Sequence, residues 1–173
     1  MKNLRYCWRC GAELVKGEEE GRERLYCPEC QEFVYRNSVP VAGVFVVRGE
    51  EVLLIKRGGE PNKGDWSYPA GYLEFEERPE HGAIRELKEE TGLKTDKDKL
   101  VLVSTIQLEH PDKYVVGNAY TTNFEDTQGE VEPGSDAAVA RFWTIKEMRE
   151  RVDEMESREI VDAAEKAIKL LQE

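Results

Sequence analysis

The sequence predicts an α/β fold in which a mixed sheet lies between two helices, preceded by a small four-cysteine zinc ribbon. Three observations predict it. All four cysteines fall near the start of the 173-residue chain as two Cys-x-x-Cys pairs, Cys7/Cys10 and Cys27/Cys30, with sixteen residues between the pairs. Several runs rich in β-branched and aromatic residues follow, each closed by Gly, Pro, Asn or Asp, as strands are. Two stretches, one central and one at the C-terminus, repeat apolar residues at helical spacing. The expected boundaries are 1–36 for the ribbon and 37–173 for the larger domain.

Composition narrows the function classes. A net charge of −11 argues against broad binding to nucleic acid or to a membrane surface. It does not argue against a phosphate-bearing substrate, because a bound cation inverts the local sign. No apolar run nears the roughly 20 residues that span a bilayer, and MKNLRYCWRC lacks the apolar segment of a signal peptide. The chain is therefore expected to be cytoplasmic, to act on a small molecule, and to have no membrane partner; nucleic acid is disfavoured.

The elements follow in order. In a reducing compartment structural disulfides are rare, and no βαβ pattern surrounds either cysteine pair to suggest a thioredoxin-like redox site. The spacing fits tetrahedral Zn2+; four thiolates leave no open position, so the ion is expected to be structural. Metal binding would supply most of the folding energy of so short a segment. Gly17–Gly21 reads as a hairpin tip, and Phe33–Pro40 as a linker marked by Asn37, Ser38 and Pro40. Val41–Val47 is a buried strand, Gly49-Glu50 a turn, and Glu51–Lys56 its partner strand. The loop RGGEPNKGDW ends in a short strand, Trp66–Ala70. Strands are expected at Leu100–Leu108 and Tyr114–Phe124, broken between by His110-Pro111-Asp112. Glu125–Asp136 is a polar loop and Ala137–Trp143 a last short strand. Thr144 and Glu147 form a capping box. Ser157 is placed to cap a final helix whose Ile160, Ala164, Ala167, Ile168 and Leu171 make a core stripe.

The central helix carries the chemistry. Pro79 suits its first turn and Gly92 the left-handed residue just past its end. Ala83, Ile84 and Leu87 give it an apolar face. Glu86, Glu89 and Glu90 stand at i, i+3 and i+4 on another face, although like charges at that spacing destabilise a helix. A solvated surface would intersperse lysines. Converging carboxylates suit a hard divalent cation such as Mg2+, usually held by a few carboxylates together with substrate phosphates.

From Gly71 to Leu93 the chain reads GYLEFEERPEHGAIRELKEETGL. This resembles the Nudix box, G-x5-E-x7-R-E-U-x-E-E-x-G-U with U a bulky aliphatic residue, at every specified position. The approach Pro61…Gly64…Trp66…Pro69-Ala70 is similar to the family's as well. The resemblance implies an α/β/α sandwich and a pyrophosphohydrolase that cuts a nucleoside diphosphate linked to another group. It implies Glu86 and Glu90 as principal Mg2+ (or Mn2+) ligands, and Glu89 as a further ligand or the general base. The Ala70 carbonyl becomes an additional ligand, and Arg85 with Glu77 holds the loop onto the helix. Some relatives draw the base from the loop before the last strand, where Glu130, Glu132 and Asp136 lie; Glu89 is favoured here, Glu132 is second, and Asp136 is a further choice. Tyr35, Phe45, Tyr72, Phe75, Tyr114 and Tyr120 are possible platforms for the nucleotide, whereas His81 and His110 are read as incidental.

A ribbon followed by Pro69-Ala70-Gly71-Tyr72-Leu73-Glu74 resembles a zinc-ribbon Nudix subgroup associated with ADP-ribose and FAD hydrolysis. NADH pyrophosphatases carry S-Q-P-W-P-F-P after the box, and this chain has VSTIQLEHPDKYVVGN. The expected substrate is therefore ADP-ribose, giving AMP and ribose 5-phosphate, with FAD and NADH behind it. Two rivals are a non-catalytic nucleotide sensor and a hydrolase of NAD-capped RNA. The intact carboxylates count against the first, and a ribbon without basic excess counts against the second. A homodimer is a further expected assembly, with the ribbon as one contact it could use.

Overall fold

The structure, a computed structural model, describes residues 4–60, 62–110 and 113–172. Pro61, Pro111 and Asp112, used above as loop markers, lie outside the described residues, as does the side chain of His110. Two compact units emerge, Met1–Val39 with Glu109–Val115, and Pro40–Leu108 with Val116–Glu173.

The first unit holds a three-stranded antiparallel sheet of β1 (Val15–Glu19), β2 (Arg22–Cys27) and β3 (Glu32–Val34), in that order. The hairpin tip is narrower than GEEEG. Only Glu20 and Gly21 turn, with φ of 50° and 74°, the two-residue connection that matches strand twist. Gly17 is a strand residue because the Phe33 ring passes over it; a Cβ there would meet Phe33 Cε1 at 2.9 Å. Phe33 also packs on Tyr26, centroids 5.0 Å apart. That contact draws Phe33 and Val34 out of the expected linker and into β3.

The second unit is built on a seven-stranded mixed sheet. Its strands are β4 (Val39–Arg48), β5 (Glu51–Arg57), β6 (Trp66–Ser67), β7 (Ala70–Tyr72), β8 (Val101–His110), β9 (Lys113–Asn123) and β10 (Ala137–Thr144). The main order is β10-β5-β4-β9-β8, with β6 on β5 and β7 on β4. The expected single strand Trp66–Ala70 is thus two. Pro69 has no N–H to give a ladder; its carbonyl accepts from Val44 at 2.9 Å while the chain crosses from β5 to β4. Gly43 permits this crossing, since a Cβ there would lie 2.3 Å from Pro69 O.

Strand alternation splits the core into two layers. Ala42, Val44, Val46 and Leu53 face helix α1 (Pro79–Thr91), meeting Ala83, Leu87 and Leu93. Phe45, Val47, Val52 and Leu54 face the other way, onto Trp143, Met148, Ile160, Ala164 and Ile168. The last four belong to helices α2 (Ile145–Glu150) and α3 (Glu159–Gln172). This is the expected sandwich. The Thr144/Glu147 capping box is present. Ser157 does not stand at the start of the last helix: α3 begins at Glu159, two residues further on.

Candidate active site and metal centre

Helix α1 is fixed at both ends by local chemistry. Pro79 occupies its first turn, and Gly92, at φ 74°, donates its N–H to Lys88 O. Two more of the C-terminal carbonyls, orphaned in any helix, are taken up by the loop before β10. Glu132 N–H donates to Thr91 O at 2.9 Å and Gly134 N–H to Glu90 O at 3.1 Å. Gly134 has to be glycine, because a Cβ would lie 2.5 Å from Glu89 O.

Arg85 organises one side of the helix. Its Nε and Nη2 each donate to Glu77 at 2.9 Å, and Nη2 also to Tyr72 O at 2.9 Å. Its Nη1 reaches Glu86 Oε1 at 2.6 Å and Glu89 Oε2 at 3.2 Å. Glu77 also accepts the Glu74 N–H at 3.0 Å. The Arg85 guanidinium holds the Glu77 carboxyl below the usual carboxylate range, and the acids in turn raise Arg85. Through these contacts Arg85 and Glu77 join residues 72–77 to the helix. Gly71 leaves room for Glu86: a Cβ there would stand 2.2 Å from its carboxyl carbon.

Glu90 lies on the inner side, 2% exposed. Its Oε2 accepts the Ala70 N–H at 2.9 Å. Burial first, then Asp136 and Glu86, push this carboxyl up to about 9, against the pull of the Ala70 N–H. Burial likewise raises Glu86, offset by Arg85 and reinforced by Glu89 and Asp136. Glu89 is the exposed member, its side chain 47% accessible. Glu89 and Glu90 also sit at the negative end of the helix dipole. The site is therefore short of positive charge, and a hard divalent cation would supply it. Arg85 draws one oxygen each from Glu86 and Glu89. Among the described residues these carboxylates form no group of three ligand atoms mutually within 4.8 Å; the four cysteines do.

Of the loop acids, Asp136 is the one brought to the carboxylates, as the Glu90 shift records. Glu132 caps the helix through its backbone and exposes its side chain, and Glu130 is exposed too. Among the aromatic candidates, Phe45 and Tyr120 are core residues, Phe45 stacked on Tyr68 at 4.2 Å. Tyr35 belongs to the ribbon, where its hydroxyl donates to Glu19. Tyr72, Phe75 and Tyr114 stay exposed. His81 is exposed in the first turn of α1. Sequence reasoning missed Gly134, which carries no motif.

The ribbon thiols converge. Cys10 Sγ and Cys27 Sγ are 3.5 Å apart and Cys7 Sγ and Cys30 Sγ 4.0 Å, with no disulfide. These straddle about 3.8 Å, the edge of a tetrahedron whose metal–sulfur bonds are about 2.3 Å. The backbone N–H groups of Cys10 and Arg9 lower Cys7 to about 7, while contact with Cys10 and Cys27 raises Cys30 to about 12. Such splitting is what crowded thiols show without a cation between them. The four cysteines can hold a metal.

Comparison with known proteins agrees with this geometry. An ADP-ribose pyrophosphatase of Methanocaldococcus jannaschii is 29% identical over 140 residues, 81% of this chain and 76% of that protein. The NAD-capped RNA hydrolase NudC of Pseudomonas aeruginosa is 34% identical over 92 residues, 53% of this chain but 32% of that protein. A Nudix hydrolase structure from Nitrosomonas europaea superposes with a TM-score of 0.70 at 24% identity, over 96% of this chain and 91% of that one, a likeness of fold. The model of the NUDIX domain family matches residues 37–164. That span takes in the sandwich, the carboxylate helix and the loop that closes it, and the chain belongs to the Nudix hydrolase family.

Proposed function

We propose that this Nudix hydrolase cleaves the diphosphate of a nucleoside diphosphate joined to a second group, with ADP-ribose as first substrate and AMP and ribose 5-phosphate as products. The carrying observation is Glu90, a carboxyl buried beside Asp136 and Glu86 in a site short of positive charge. The Ala70-Gly71-Tyr72-Leu73-Glu74 start of the box and the relative named for ADP-ribose support the substrate. Glu86, Glu89, Glu90 and the Ala70 carbonyl would hold Mg2+ or Mn2+, which when bound neutralises diphosphate oxygens and activates water. Arg85 and Glu77 keep the box loop in register with the helix. Glu89, the exposed member, is the first choice to accept the proton of the attacking water, and Asp136 is better placed than Glu132 to replace it. In the ribbon, Cys7, Cys10, Cys27 and Cys30 hold structural Zn2+, in the reducing cytoplasm where thiols stay free. A homodimer is the assembly expected in solution.

The test is hydrolysis of ADP-ribose, FAD, NADH and NAD-capped RNA with Mg2+, identified by product, with Glu90→Gln alongside. The expected result is AMP from ADP-ribose, lost by at least about a hundredfold in the variant, as for a displaced ligand. The similarity to NudC favours capped RNA as a second reading; faster turnover of that substrate, falling steeply with salt, would put it first. Binding of ADP-ribose by both proteins with no product would replace the enzyme with a sensor.

A further inference from the structure

The turn that leads into helix α1 carries two features for which the fold has no use. Phe75 is 94% exposed, more than any other large apolar side chain among the described residues. Glu76, beside it, holds φ at 68°. A lone exposed apolar residue is common on protein surfaces. Left-handed backbone at a glutamate is not, since that region suits glycine and strains other residues.

The turn is nevertheless fastened at both ends. Glu77 N–H donates to Glu74 O at 3.1 Å, which puts Phe75 and Glu76 at the two corners. Glu74 N–H donates back to Glu77 Oε2 at 3.0 Å, and Arg85 clamps both that carboxylate and Tyr72 O. Leu73 reaches α1 at Gly82, where a Cβ would stand 2.3 Å from Leu73 Cδ2. The guanidinium that fastens the turn also donates to Glu86 and Glu89. The Phe75 ring is thus carried on the same frame as the metal-holding carboxylates, with almost its whole surface in water.

An aromatic face presented on a fastened turn stacks on a flat ring at little cost in conformational freedom. Two exposed carboxylates flank it, Glu74 and Glu76. They disfavour a phosphate over the ring and suit a neutral ring that carries N–H donors. In a nucleoside diphosphate joined to ribose, the base is the one ring of that kind. We infer that Phe75 is a specificity-determining residue, and that its ring stacks on the base of the nucleotide half of the substrate. This rests on the reading of the site as a nucleoside diphosphate hydrolase.

The two expected products separate the base from the rest of the substrate, because AMP carries the ring and ribose 5-phosphate does not. Calorimetric titration of the full zinc-loaded chain with each, in Mg2+, reads the contact directly. Phe75→Ala is expected to weaken AMP about tenfold, the size of one lost base–aromatic stack, and ribose 5-phosphate by less than about twofold. KM for ADP-ribose should rise by a similar factor with little change in kcat, as when binding common to ground and transition states is lost. Phe75→Tyr keeps the aromatic face and should bind AMP as the unaltered protein does, whereas Phe75→Leu should lose most of what the alanine loses. A ring so exposed contributes little to folding, so all three variants should melt with the unaltered protein. Unchanged AMP affinity in Phe75→Ala would mean that no stack exists. Equal weakening of both products would mean that the ring supports the carboxylates rather than the base. Conversion of a dimer to monomer by Phe75→Ala, seen by light scattering, would make the ring a contact between copies. Each of these three results overturns the inference alone. An unaltered protein that neither cuts ADP-ribose nor binds AMP would overturn the proposed substrate and the inference with it.

Discussion

At Glu90, burial and metal binding make opposite demands on one proton. An unfolded glutamate titrates near 4.5, whereas here burial and Asp136 hold the proton to about 9. Between those values the folded state binds more protons than the unfolded chain, so stability without Mg2+ falls as pH rises from about 4.5 towards about 9. A divalent cation displaces that proton, so its stabilisation grows over the same interval. Melting temperatures at pH 6, 7, 8 and 9, with and without Mg2+, should therefore diverge with pH, and Glu90→Gln should flatten the Mg2+-free slope. Parallel curves would mean that Glu90 is not where the cation binds. Glu86, Glu89 and Glu90 were legible in the sequence because helical spacing is a local property. The separate standing of Glu90, as the buried member, was not, since it depends on Ala70 and Asp136 arriving from elsewhere in the chain. The aromatic candidates could not be sorted for a related reason: Phe45 and Tyr120, which lie in the core, look like the exposed Tyr72 and Phe75 on paper, and only strand register and packing decide which side each faces.

At the scale of elements, the contact between the loop before β10 and the end of α1 does most to shape the site. It replaces water on the last helical carbonyls and brings Asp136 to Glu90. Gly134→Ala would force a Cβ against Glu89 O and is expected to destabilise the fold by about 1–3 kcal/mol, with a larger proportional loss of activity than of stability. Gly59→Ala is the control: nothing lies within 4 Å of its Cβ, and the change should stay within about 0.5 kcal/mol. Urea unfolding and ADP-ribose turnover on both variants check this, and a silent Gly134→Ala would detach the loop from the site. The long strands of the sandwich, the capping box and the Gly92 terminus could be read from local pattern. The break at Pro69 and the approach of Asp136 to Glu90 could not, because each depends on backbone hydrogen bonds between residues far apart in sequence.

Across the whole molecule, the two units are stabilised by different means. The sandwich has an apolar layer on each side of its sheet, while the ribbon has three short strands and four thiols. One zinc per chain is expected by native mass spectrometry. Stripping it with a thiol-directed chelator should expose the amides of β1 to β3 to exchange while those of β4 and β5 stay protected. Retained protection in the ribbon after zinc loss would show that its folding does not depend on the ion. The two cysteine pairs were readable because four ligands at knuckle spacing leave few alternatives; the strand role of Gly17 was not, because it needed the Phe33 ring in place. The loop that ends α1 also bears on how the protein could be handled in the laboratory. Residues 128–136 are polar and largely exposed, the usual mark of a segment that accepts a spliced reporter or affinity tag. Here their N–H groups terminate a helix, so an insert would pull on the end of α1 that carries Glu89 and Glu90. The Glu20-Gly21 turn, with nothing within 4 Å of a Cβ on Gly21, is the safer place to graft one.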